Sequence, residues 1–209
     1  MLALKQAYWE LRTHHSLVDV WDALLQLSGL QVRQHWCRVV MDLETERLLE
    51  GKSDLKTLEI SGTKWRHLHS YRSVSYPEYD VCQGPLDERF ELIIAEQVWE
   101  HLKYPQKALR NVYDMLYPGG YFLITTPFMI RLHGSPLDCS RWTEQGLEYM
   151  LSEAGFTDIR PDSWGNRACL KANLNRFMPY RIWHSLKNEH NYPMTVWALA
   201  RRGSNVDRS

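Results

Sequence analysis

The sequence predicts an α/β fold: a doubly wound, mostly parallel sheet preceded by a helical extension. Three observations predict it. From about residue 57 onward, short β-prone runs alternate with stretches whose apolar residues recur at helical spacing, the order that builds parallel sheets through helical crossovers. The run Phe90-Glu91-Leu92-Ile93-Ile94-Ala95 is nearly all apolar, as a strand covered on both faces must be. Pro118, Gly119 and Gly120 separate a helical stripe from the next strand, and such residues end helices because they supply turn geometry.

The elements follow in order. Leu17, Val20, Trp21, Leu24 and Leu25, then Trp36, Val39, Val40 and Leu43, recur at helical spacing with a break at Ser28-Gly29, so two or three helices are expected within residues 1–52. The polar turn Gly51-Lys52-Ser53-Asp54 introduces the main domain, expected over 53–202. Its first strand, Thr57–Ile60, stops at Ser61-Gly62-Thr63. A second covers Tyr71–Tyr76 and is cut by Pro77, and the third is the apolar run from Phe90. Pro105 suits a first helical turn, and Ala108, Leu109, Val112, Met115 and Leu116 form that helix's apolar stripe. Tyr121–Thr126 is the fourth strand, stopped by Pro127. Thr143 can cap a helix carrying Leu147, Met150, Leu151 and Ala154, which Gly155 closes. Strands near Thr157–Arg160 and Thr195–Ala200 complete the alternation, with an insertion over 164–192 and a tail at 203–209.

Composition narrows the class. A chain of 209 residues with 44% hydrophobic content suits one ordinary domain. Lys and Arg total 25 and Asp and Glu total 25, so the charge footprint of a dedicated nucleic-acid binder is missing. No basic segment with an apolar run opens the chain and no apolar window is long enough for a membrane span, so a cytoplasmic protein is expected. Cys37, Cys82, Cys139 and Cys169 are scattered, without a CxxC pair, and reduced thiols without a metal are the expectation. Aromatic residues on the amino-terminal helices would suit a homodimer contact.

Two stretches carry a resemblance. Phe90 to Leu102 ends in Glu100-His101-Leu102, and Leu116 to Pro127 contains Leu116-Tyr117-Pro118-Gly119-Gly120. Together these resemble the class I S-adenosylmethionine-dependent methyltransferases of the type 11 group, over about Thr57 to Phe156. The resemblance implies a Rossmann-like fold, S-adenosylmethionine as cofactor and methyl transfer as activity. It implies that Glu59 is the acidic residue of the first motif, ordering the following loop and the amino-acid end of the cofactor. Ser61, Gly62 and Thr63 would let backbone approach the cofactor, and the start of a helix beyond them would favour its carboxylate. Here the chain departs from the family: where a glycine-rich E-x-G-x-G-x-G is usual, it reads Glu59-Ile60-Ser61-Gly62-Thr63-Lys64-Trp65, with one glycine. Asp80 stands at the spacing of the adenine-contacting acid, with Tyr76 and Glu78 as lesser candidates for the ribose. Glu96 and Gln97, at a strand end, would face cofactor or acceptor.

The segment Thr126 to Thr143 resembles the P-F…H…P-x-D…R-[WY]-T run found after strand five in many type 11 members. His133 is its candidate general base, because imidazole titrates near neutrality; the alternative is a loop histidine that fixes backbone. Asp138, Arg141 and Trp142 are candidates for binding the acceptor, set against a loop-anchoring ion pair and simple packing. Glu100 and His101 invite chemistry too, although organising the strand-to-helix turn is the plainer role. Trp65 and Trp99 are either cleft walls or core. The basic, aromatic segment from Trp164 to Lys187 is a lid, an acceptor pocket or a solvated face. Methyl transfer to a small molecule is therefore expected, with a hydroxyl favoured because His133 could take its proton. The alternatives are a protein or RNA methyltransferase, which the neutral charge disfavours for RNA, and a degenerate fold serving as a non-catalytic partner subunit.

Overall fold

In the computed structural model, which describes residues 17–134 and 136–203, the chain runs α1 (Leu17–Leu27), β1 (Gln31–His35), a 3-10 turn (Trp36–Arg38), α2 (Val39–Leu48), β2 (Thr57–Ile60), β3 (Tyr71–Val74) and β4 (Phe90–Glu96). A second 3-10 turn (Trp99–His101) leads to α3 (Pro105–Met115), β5 (Leu116–Pro127), α4 (Glu144–Glu153), β6 (Phe156–Trp164), α5 (Arg167–Asn173), β7 (Pro179–Arg181) and β8 (Thr195–Arg202). Six strands form one sheet in the order β3-β2-β4-β5-β8-β6. All run parallel except β8, which is antiparallel to both neighbours. The predicted mixed, mostly parallel α/β architecture is what forms.

Apolar pattern explains the layers. On β4, Leu92, Ile93, Ile94 and Ala95 are all fully buried, because the two faces of a central strand both meet core. One face, through Ile93, Ala95, Phe122 and Ile124, takes the stripe Ala108, Leu109, Val112 and Met115 of α3 with Leu147 and Leu151 of α4. Pro105 opens α3, where its missing N–H costs nothing. Thr143 Oγ1 caps α4 by accepting from Gly146 N at 3.1 Å. The opposite face, Leu92, Ile94, Leu123 and Leu199, is covered by Leu49, Trp65 and Leu68.

Three features differ from the sequence reading, the first being that β5 begins at Leu116, so that Leu116 to Gly120, expected as helix end and turn, are already strand. No helix follows β2: residues 61–70 form turns, and Trp65 and Leu68 fill the space a crossover helix would occupy. The connection is shorter than the dozen or so residues a helical crossover needs. The expected helix start beyond Thr63 is therefore not there to favour an anion. The amino-terminal region also holds a strand besides its helices: β1 pairs antiparallel with β7, joining Gln31 to Arg181. Asp22 of α1 reinforces that junction, accepting from Arg176 Nη1 at 2.6 Å and Arg181 Nη2 at 2.7 Å. Among the described residues no helix is long and apolar enough to cross a membrane.

Candidate active site

Chain order places the site. From β2 the chain moves outward to β3 and then returns to the other side of β2 for β4, so strand order reverses between β2 and β4, the position at whose carboxyl ends open α/β sheets form their ligand crevice. Ile60 is paired with Ala95 across that boundary. The turns beginning at Ser61 and Glu96 are therefore neighbours, one strand spacing apart.

Glu59 builds the first turn. Its carboxylate is 2% exposed and accepts from Lys64 N at 3.2 Å, Trp65 N at 3.0 Å and the Tyr71 hydroxyl at 2.6 Å. Burial, followed by this bond to Glu59, pushes the Tyr71 hydroxyl up to about 12. Gly62 is required by the same carboxylate, since a Cβ at that position would stand 2.2 Å from Glu59 Oε1. Its carbonyl accepts from Ser73 Oγ at 2.5 Å and lies 3.2 Å from Tyr71 Oη. Ser61 has φ of 61° and Gln97 has φ of 56°, left-handed conformations that turn each chain sharply away at its strand end. Thr63 lies exposed beyond Gly62. With one glycine in the turn, Ser61 takes the left-handed backbone and Trp65 packs as core at 3% exposure.

Across the crevice, Lys64 Nζ spans Asp42 Oδ1 at 3.0 Å and Glu96 Oε1 at 3.2 Å, above the Trp65 ring. Burial raises the pKa of Glu96 against the opposing pull of Lys64. Gln97 donates through Nε2 to Thr125 Oγ1 at 3.1 Å, tying the β4 turn to β5. Asp80 lies beyond β3, where its carboxylate accepts from Cys82 N at 2.9 Å and Gln83 Nε2 at 3.2 Å. It closes its own loop, and Tyr76 and Glu78 are exposed on the same loop.

A second group of residues gathers where the turn after β4 meets the loop after β5. Glu100 is completely buried and places Oε1 3.4 Å from His133 Nε2 and 3.6 Å from His101 Nε2. Burial raises the Glu100 carboxyl to about 7. Burial, then the neighbouring His101, lowers the pKa of His133, so the imidazole favours its neutral form. The loop is pinned from behind: His133 N donates to Asp138 Oδ2 at 2.8 Å, and Arg141 holds Asp138 through both of its terminal nitrogens. Cys139 N donates to Glu100 O at 2.7 Å. Arg141 and Asp138 thus engage each other and position His133. Trp142 is half-buried against the α3/α4 core, and Trp99 is fully buried beside Phe122.

The contact between Glu100 and His133 was not legible in sequence, because 33 residues and a strand separate them. The same holds for Phe177, which meets His133 edge-on, stacks on His35 and lies beneath Arg131. The acids beside this turn suit a cation: Asp42 and Glu96 hold one primary ammonium, that of Lys64. The α-ammonium group of a sulfonium cofactor would meet the same acids by taking the place of Lys64.

A family model described as a methyltransferase domain matches residues 33–161. No curated protein matches the sequence. Among solved structures, the chain is similar to an S-adenosylmethionine-dependent methyltransferase from Mesorhizobium loti, at 15% identity and a TM-score of 0.53, covering 79% of this chain and 100% of that one. It is similar to another from Archaeoglobus fulgidus, at 14% identity and a TM-score of 0.53, covering 79% and 94%. It also resembles the N-methyltransferase NodS from Bradyrhizobium japonicum, solved with S-adenosyl-L-homocysteine, at 13% identity and a TM-score of 0.52, covering 81% and 89%.

Proposed function

The chain belongs to the methyltransferase domain family and uses S-adenosylmethionine to transfer a methyl group, and from that premise we propose that its acceptor is a hydroxyl group on a small molecule. Glu59, through the turn Ser61-Gly62-Thr63, holds the amino-acid end of the cofactor, Asp80 lies on the adenosine side, and Glu96 with Gln97 borders the reacting end. Bound there, the sulfonium supplies an electrophilic methyl and a neutral thioether leaving group. The protein's task is then alignment and proton removal.

The observation that carries the reading is the buried Glu100 carboxylate 3.4 Å from the His133 imidazole, on the loop that follows β5. A hydroxyl is a weak nucleophile until its proton is taken as the new bond forms. Burial keeps His133 neutral and thus able to accept. Asp138 and Arg141 hold His133 in place, and Trp142 is a wall of the acceptor side. The equal counts of acidic and basic residues favour a small molecule over RNA. The test is methyl transfer from labelled S-adenosylmethionine to matched hydroxyl and amine acceptors. Label is expected on hydroxyl oxygen and to depend on His133; transfer only to amines, undiminished in His133→Ala, would overturn the reading.

A further inference from the structure

We propose that Glu100, His101 and His133 together bind a divalent transition-metal ion of the zinc type. The inference deepens the reading above, resting on it only for placing this cluster on the acceptor side of the crevice.

One carboxylate oxygen and two imidazole nitrogens, drawn from the turn after β4 and the loop after β5, lie within 4.8 Å of one another. Zinc bonds of 2.0–2.1 Å in a tetrahedral array set ligand atoms about 3.4 Å apart. Glu100 Oε1 is 3.4 Å from His133 Nε2 and 3.6 Å from His101 Nε2. A single ion can therefore sit between the carboxylate and either imidazole, and to hold all three it needs the two imidazole nitrogens, which lie within 4.8 Å of each other, at about the same spacing.

The hydrogen bonding points the same way. His101 Nδ1 meets the Leu137 carbonyl, which can only accept, so Nδ1 carries a proton, and in the neutral imidazole Nε2 then turns its lone pair toward Glu100 Oε1. Two acceptors facing each other call for a proton or a metal ion between them. A histidine whose distal nitrogen is held by a carbonyl is also the usual arrangement behind a metal ligand. Glu100 Oε2 adds an independent sign: it is buried without a hydrogen-bond partner, a costly state that a cation or its bound water relieves. The loop is preorganised, since Asp138 holds the His133 backbone and Cys139 N holds the Glu100 carbonyl.

Three protein ligands leave an open position. A hydroxyl entering it would be made more acidic by the charge of the ion and would release its proton to solvent; with metal bound, His133 is a ligand in place of the base role given it above. The rival occupant of the cluster is a proton shared between Glu100 and the histidines, and metal binding separates the two.

The experiment is titration of the full chain, freed of metal by chelator, with Zn2+ against a chromophoric competitor, and with Co2+ followed by its visible spectrum. One equivalent is expected, weakened at least about tenfold by Glu100→Gln and by His133→Ala, and unchanged in Cys139→Ser and in His190→Ala. Far-ultraviolet circular dichroism checks that each variant is folded. Absence of stoichiometric binding, or binding that Glu100→Gln and His133→Ala leave intact, overturns the proposal. Because neither cofactor nor acceptor is present, a chain that methylates hydroxyls yet takes up no zinc refutes only the metal site. One that binds zinc but methylates only amines refutes only the hydroxyl reading.

Discussion

At Gly62 the room for a side chain is already taken by Glu59 Oε1. Gly62→Ala must push that carboxylate off the N–H groups of Lys64 and Trp65, and bonds to a charged acceptor are worth about 1.5–3 kcal/mol each. We expect a stability loss of about 2–3 kcal/mol together with weakened S-adenosylhomocysteine affinity, read by thermal unfolding and calorimetry. Gly84 meets nothing within 4 Å of an added Cβ, so Gly84→Ala should stay within about 0.5 kcal/mol of the parent. Equal behaviour of the two variants would show that the Glu59 turn is not a tight structural unit. His133→Ala is expected to lower turnover by about 10²–10⁴-fold while leaving S-adenosylhomocysteine affinity unchanged, because the imidazole lies with Glu100 and not with the Glu59 turn. A variant with parental turnover would remove His133 from the chemistry.

Among the elements, the sequence made β2, β4, α3, β5, α4 and β8 legible because each writes its burial into a local apolar run or a helical period. It did not reveal the helix-free connection after β2, where Trp65 and Leu68 replace a helix, since a large aromatic in a turn looks the same whether it packs or protrudes. Nor did it reveal the pairing of β1 with β7, whose partners are 150 residues apart. The clasp of Asp22 with Arg176 and Arg181 gives that junction a test. Desolvation works to raise the Asp22 pKa, and the hydrogen bonds and charges of the two arginines outweigh it, leaving the carboxyl below its ordinary value. A depressed folded-state pKa contributes stability above the unfolded value and loses it as pH falls through the folded one. Asp22→Asn should therefore cost about 1–3 kcal/mol at neutral pH, and the difference should shrink as pH drops below about 4. Urea melts at pH 7 and pH 3 decide it; a gap that does not narrow would mean that the clasp is not electrostatic.

For the molecule as a whole, a crevice that binds its cofactor only when folded must be stabilised by it. Saturation at about 100 times Kd adds about 2.7 kcal/mol, which for a chain of this size raises Tm by about 5–10 °C. A melting curve indifferent to millimolar S-adenosylhomocysteine would contradict cofactor binding by the isolated chain. By itself the sequence determined the layered α/β class and the strand ends that border the crevice, because periodicity and turn chemistry are properties of neighbours along the chain, and its resemblance to the methyltransferases singled out Glu59, Gly62 and His133 as residues to watch. Tertiary structure alone decided that Lys64 would bridge Asp42 and Glu96, and that a buried Glu100 would face two histidines. Those contacts join segments distant along the chain, and the desolvation that sets their charge exists only once the sheet and its covering layers have closed over them.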